Sequence, residues 1–207
     1  MKTYDLVLFS PSQKDKTLTN KLGYSNILEI KKDTQVYTVQ EQKDIQKLSM
    51  SPIILKVVLL QKHELATDVL KRKPDFISFE IAYGKDHTHY RKTGFSVVHA
   101  KQMSDKNIAL LINLNFILSL PKEKQSLYFG RLKQNIKVAQ KKKTPIVIFT
   151  LAKNIYEMKN SSDLTSLLLT LGANQGYIKK GFKFLEKKLD DLKKIKEGKL
   201  FGDVEII

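Results

Sequence analysis

IALLINLNFILSLPKEKQSLYFGRLKQNIKVAQKKKTPIVIFT, residues Ile108–Thr150, decides the fold. Its two ends, Ile108–Leu114 and Pro145–Thr150, are nearly continuous apolar runs, the pattern of strands covered on both faces. Between them Phe129, Leu132, Ile136 and Ala139 recur at helical spacing, so one apolar stripe of a helix can lie on the sheet those strands build. Strand, helix and covered strand in this order make a parallel crossover unit. Pro145 fits the start of the second strand, where a missing backbone donor matters least.

Outward from this unit the same alternation continues. Short apolar runs at Tyr4–Phe9, Asn26–Ile30, Ile53–Leu60 and Phe76–Ile81 predict further strands, with helical spacing at Leu65, Val69 and Leu70 and again at Leu164, Leu167, Leu168 and Leu171. Ser162 and Asp163 supply a cap and a first-turn carboxylate before the leucine stripe, and Gly172 suits a left-handed C-terminal residue. After Gly181 the series Phe182, Leu185, Leu189, Leu192 and Ile195 marks a long amphipathic helix, rich in lysine over about residues 179–197 and ended by Gly198. The tail LFGDVEII reads as a short docking strand or extended segment. Repeated right-handed crossovers give either an open doubly wound sheet or a closed barrel, and the pattern alone does not separate them. The 207 residues, 42% hydrophobic, with no internal repeat or linker, suit one domain over residues 1–207.

The chain carries 37 Lys and Arg against 21 Asp and Glu, a net charge of +16. Such a field attracts polyanions, either nucleic acid or an anionic membrane. Pro121–Lys143 holds eight basic residues and one acid, net +7, and Lys179–Lys199 holds nine lysines and four acids, net +5. Twelve of the sixteen excess charges therefore lie in two segments, although lysines that serve only solubility remain an alternative. Absence of cysteine closes disulfide, thiolate-metal and cysteine-nucleophile chemistry. No uncharged apolar stretch reaches the length of a membrane span, and MKTYDLVLFSPSQKDK lacks the features of a signal peptide, so a soluble cytoplasmic protein is expected.

Signals for catalysis are weak. His87-Thr88-His89 has a spacing that places two imidazoles on one side of an extended segment, as a zinc-dependent phosphoesterase could use, with His63 elsewhere in the chain. Yet the predicted strand ends offer Lys31, Gln61, Ala82, Asn115 and Leu151, and only Glu80 and Asp86 are nearby acids. No Gly-rich phosphate loop and no nucleophile elbow occur. The segment HTHYRKTGFSVVHAK, His87–Lys101, combines Arg91, Lys92, His99 and Lys101 with Tyr90 around Gly94, a mixture that grips phosphates and stacks on bases. Its alternative is a solvated loop entering a helix that Val97 and Val98 dock on the sheet. On the helix from Pro121, Lys133, Lys137 and Lys141 follow one another at i, i+4 opposite the core stripe, where a polyanion would relieve their repulsion. A solvated face is the alternative there.

Three segments resemble archaeal ribonuclease P protein component 3, a relative of the eukaryotic thirty-kilodalton subunit. They are RKTGFSVVHAKQMSDKNIALLINLNFIL (Arg91–Leu118), KKKTPIVIFTLAKNIYEMKNSSDLTSLLLTLG (Lys141–Gly172) and, more loosely, KLGYSNILEI (Lys21–Ile30). The resemblance implies a TIM-barrel-like parallel β/α fold without metal chemistry of its own. It also implies a non-catalytic subunit that helps the ribonuclease P RNA remove the 5′ leader of precursor tRNA, beside protein component 2 and other holoenzyme proteins. No cofactor is implied in the chain, catalytic magnesium being expected on the RNA, and no membrane. By the same resemblance the family's arginine and glycine fall on Arg91 and Gly94, its helix histidine on His99, its small-residue turn on Thr150–Ala152 and its helix-opening aspartate on Asp163. Departures are Thr150-Leu151 in place of a serine pair and Lys159-Asn160-Ser161 in place of Arg-x-Pro. The early chain also reads as one βα unit short between Ile53 and Ile81. The candidate RNA-binding residues are therefore Arg91, Lys92, His99, Lys101, Lys133, Lys137, Lys141 and Lys153, with no catalytic or metal-binding residue assigned. A stand-alone metal-dependent phosphoesterase and a generic RNA-binding module are the rival readings.

Overall fold

The computed structural model describes residues 2–29, 34–48, 54–86, 91–198, 200–201 and 204–205. Seven strands run parallel: β1 (Tyr4–Val7), β2 (Asn26–Glu29), β3 (Thr34–Val39), β4 (Leu55–Leu60), β5 (Phe76–Phe79), β6 (Ala109–Asn113) and β7 (Ile146–Phe149). β3 to β7 form one sheet in sequence order, and β1 pairs with β2. β7 returns beside β1 through a parallel bridge between Val7 and Ala152, with Leu8 N–H donating to Ala152 O at 2.7 Å and Leu151 N–H to Leu6 O at 3.0 Å. Sequential order with the last strand beside the first is the arrangement of a TIM-barrel-like fold, with seven parallel strands among the described residues against the usual eight.

Six strands were legible as apolar runs; β3 was not. Its sequence, TQVYTV, leaves Gln35 and Thr38 exposed and buries only Thr34 and Val39, as suits the end strand of the five-stranded sheet. Between Ile53 and Ile81, where the chain reads as one βα unit short, β4 and β5 pair directly and are joined by a single crossover through α3 (Ala66–Lys71). Only four residues separate β2 from β3, too few for a helical crossover, and among the described residues no ladder joins those two strands.

Alternation of side chains divides the sheet into two apolar faces. Leu6, Leu28, Val57, Phe76, Leu111 and Phe149 point inward, while Val7, Val58, Ile77, Leu110 and Ile148 belong to the outer core. Helices α3, α4 (Val97–Asp105), α6 (Lys122–Lys142) and α7 (Ser161–Thr170) bury Val69, Met103, Ile136 and Leu168 against that outer core. Short helices α1 (Gln13–Lys21), α2 (Gln42–Gln46) and α5 (Leu114–Ser119) complete the connections.

The last long helix, α8 (Gln175–Lys196), starts before the expected position and carries Gly181 inside it. A Cβ at Gly181 would stand 1.9 Å from Ile146 O, so this glycine lets the helix backbone cross the first residue of β7. Leu185 and Leu192 then join the inner cluster, and Phe184 meets Phe76 edge-on at 6.3 Å. Lys188 pairs with Asp75 at 2.8 Å just before β5, and Glu186 accepts from the Lys2 amide just before β1. These contacts all lie where strands begin, so α8 covers that end of the barrel and leaves the opposite mouth to loops. Leu200–Phe201 and Val204–Glu205 form a short antiparallel pair beyond it. No helix among the described residues is long and apolar enough to cross a membrane.

One carboxylate is sealed in the β1/β7 seam. Asp5 is fully buried and accepts from the Leu6 amide at 2.9 Å, from the Thr150 amide at 2.7 Å and from the Thr150 hydroxyl. Burial pushes its carboxyl up to about 7 even though all three hydrogen bonds oppose the shift.

Candidate nucleic-acid interface

The basic run on α6 separates into two faces once the helix is placed. Lys133, Lys137 and Lys141 are exposed at i, i+4 spacing, whereas Arg131, of the same run, is buried to 1%. Its guanidinium donates to Ile81 O at 2.8 Å, Tyr83 O at 3.1 Å and Gly84 O at 2.6 Å, and Nε donates to Asp86 at 2.9 Å. A planar five-donor fork suits four fixed acceptors in one turn of chain, which a lysine ammonium could not reach together. Arg131 is thus the internal support of the loop after β5, not a surface charge.

Asp86 passes that support on to Arg91 and Lys92. It accepts from Arg91 Nη1 at 3.1 Å and from the Lys92 amide at 2.9 Å. Burial works against its charge, but the Lys92 amide and the Arg131 and Arg91 guanidiniums together hold its carboxyl below the usual carboxylate range. Arg91 is also clamped to α6, its amide donating to Gln134 Oε1 at 3.0 Å and its carbonyl accepting from Gln134 Nε2 at 3.3 Å. A Cβ at Gly130 would come within 2.5 Å of Arg91 Cζ, which explains a glycine in the middle of a long helix. Arg91 therefore lies against the turn of α6 that also carries Lys133 and Lys137. The loop and the lysine helix, separate candidates in the sequence, form one continuous basic surface.

Helix α4 extends that surface. Thr144 Oγ1 donates to Ala100 O at 2.7 Å and ties the end of α6 to the middle of α4, beside exposed Lys101. Ala100 and Met103 dock this helix; Val97 and Val98, read from sequence as possible docking residues, are 47% and 62% exposed. His99 is turned inward. It closes a capping box with Ser96, sits 3.1 Å from Gly94 O and stacks on Phe79 at 6.1 Å. Burial pushes its imidazole below the ordinary range, with nearby His63 adding to the effect against the Gly94 hydrogen bond.

Lys153 stands apart, exposed at the barrel mouth just after β7, its amide held by Glu157 at 2.8 Å. Leu151 before it adopts a left-handed φ of 48°, which turns its carbonyl toward Asn115 Nδ2 at 3.0 Å. The inward side of this mouth is polar. Glu80 is buried and accepts from Asn113 Nδ2 at 2.6 Å, and burial pushes its carboxyl up to about 7 against the Asn113 and Gln61 hydrogen bonds. Sequence reasoning noted Asn115 only as a strand-end residue and Glu80 only as a nearby acid; Asn113 was hidden within an apolar run. Among the described residues no three His, Asp or Glu side chains cluster as metal ligands, and His87, His89 and Tyr90 lie outside those residues.

No family model matches the chain, and no curated protein does. Among solved structures it is similar to a chain of a cryo-EM structure of archaeal ribonuclease P with mature tRNA, at 19% identity and a TM-score of 0.59. The likeness covers 99% of this chain and 97% of that one, so both have the same fold from end to end.

Proposed function

We propose that the chain is a protein subunit of ribonuclease P, of the component 3 kind, that binds the catalytic RNA and leaves leader removal from precursor tRNA to that RNA. The observation that carries this reading is the nearly full-length likeness to a chain of an archaeal ribonuclease P structure. The continuous basic surface of Arg91, Lys92, Lys101, Lys133 and Lys137 supports it independently, since phosphate contacts of this kind position an RNA backbone without reading sequence. In this role Arg131 and Asp86 act indirectly, holding the loop that presents Arg91 at the helix face. The partners are then ribonuclease P RNA, protein component 2, further holoenzyme proteins and precursor tRNA, with magnesium on the RNA.

Reconstitution tests the proposal. Ribonuclease P RNA with its other proteins is assayed for precursor tRNA cleavage with and without this chain. Stimulation is expected, with no cleavage by the chain alone after all RNA has been removed. Cleavage by the RNA-free chain, or metal-dependent phosphoesterase turnover, would overturn the reading. Within the surface, Arg91→Ala and Lys137→Ala are expected to be coupled rather than additive, because Arg91 is hydrogen-bonded to the helix that carries Lys137.

A further inference from the structure

The inside of the barrel mouth is built for a ligand that the basic outer face does not account for. A cavity of about 170 Å³ opens there between apolar walls, Leu8, Leu59 and Leu151, beside the ring of Phe116. Asn113, Asn115 and Lys153 form its polar rim. One step further in, Ser78 on β5 is the ladder partner of Leu59 on β4 and faces the same side of the sheet. Its hydroxyl is buried and has no hydrogen-bond partner among the described residues. A buried polar atom left unpaired costs about 1–3 kcal/mol, so the strand behind the Leu59 wall keeps an unmet hydrogen-bonding group next to the cavity lining.

The rim amides are held in fixed orientations. Asn113 donates to Glu80 and accepts from the Phe116 amide at 3.1 Å, while the NH₂ of Asn115 is committed to Leu151 O and to Glu157 at 3.3 Å. Apolar walls with polar atoms at the rim suit a flat ring whose edge makes hydrogen bonds, and Lys153 supplies a cation there for an attached anion. The Tyr156 ring, three residues further along the chain, is 88% exposed, a further stacking surface.

We infer that the barrel mouth binds one unpaired nucleotide of a single-stranded RNA, its base entering between Leu59 and Leu151, its edge on Asn113 and Asn115 and its phosphate on Lys153. The site is distinct from the outer surface of Arg91 and the α6 lysines. Its failure would leave the proposed role in ribonuclease P untouched, and the reverse also holds.

The test uses the full chain and a single-stranded hexa-adenylate, in about 0.3 M salt to suppress unspecific phosphate binding. Amide resonances of residues 113–119 and 151–153 are expected to shift saturably, with adenosine 5′-monophosphate producing the same pattern more weakly. Asn115→Ala and Lys153→Ala should each lower hexa-adenylate affinity about tenfold, and Ser119→Trp, which fills the cavity rim, should abolish the shifts with the melting temperature unchanged. Lys133→Ala should leave the shifts in place. If the oligonucleotide shifts only residues of α4 and α6, or nothing at that salt, the mouth is not a nucleotide site. Unchanged affinity in all three mouth variants would overturn the inference as well.

Discussion

Two faces of α6 carry charges of one sign and behave as opposites. On the inward face Arg131 is fully enclosed and spends its donors on three carbonyls and Asp86; on the outward face Lys133, Lys137 and Lys141 meet solvent. The inner charge determines shape, since its donors gather the carbonyls of Ile81, Tyr83 and Gly84 and the Asp86 carboxylate around one guanidinium. The outer charges set the field around the molecule and contribute little to stability. A count of basic residues therefore overstates the surface available to RNA, and one arginine in the run decides whether the rest are presented correctly.

The largest effect is expected from Arg131→Met. It removes one of three donors to Asp86 and the donor shared by the carbonyls of Ile81, Tyr83 and Gly84, and loss of such charge-assisted hydrogen bonds should cost about 2–3 kcal/mol. Urea denaturation measures it, and RNA affinity should fall with stability. A cost under about 1 kcal/mol would erase the contrast between the faces.

Asp5 offers the same contrast for an acid. Its folded value of about 7 lies above the ordinary 3.8, so the native state binds more protons than the unfolded chain across that interval. The associated stability is complete below about pH 4 and is lost as pH rises through about 7, by up to a few kcal/mol. Asp5→Asn should flatten this decline in melting experiments between pH 5 and 8. An unchanged pH profile would show that the seam holds its carboxylate without strain.

Gly130→Ala probes the line between the faces. Helix propensity favours alanine by about 1 kcal/mol, but the new methyl group displaces Arg91, and the two effects should leave net stability within about 1 kcal/mol of the parent. RNA affinity should drop about as far as it does in Arg91→Ala. Binding at the parental level would separate Arg91 from the surface proposed.

Smallest in stability is the triple change of Lys133, Lys137 and Lys141 to alanine, expected within about 0.5 kcal/mol of the parent. Its signature is electrostatic instead: the slope of log affinity against log salt should become shallower by about 2. An unaltered slope would mean that these lysines only keep the protein soluble.

Much of the fold was legible because continuous apolar strands and helical stripes are local patterns that burial imposes residue by residue. Ile108–Thr150 predicted two strands and the long helix between them, and Gly172 predicted a left-handed helix end, found at φ 96°. β3 escaped because an end strand covered on part of its surface needs no apolar run. Gly181 read as a boundary because sequence does not show that another backbone passes within contact of it. The candidate surface was legible in composition but not in geometry: Arg91, Lys92 and the lysine stripe were named, while their union through Gln134, Gly130, Asp86 and Arg131 joins segments more than forty residues apart.

By itself the sequence determined the parallel β/α class, the strong positive charge and the absence of cysteine chemistry, since each follows from composition or local period. Only the tertiary structure decided which basic residue is buried, that the loop and the helix form one face, and that the barrel mouth holds a cavity with apolar walls and a polar rim. These depend on contacts between distant segments, and no local pattern records which side of a helix or strand meets which neighbour.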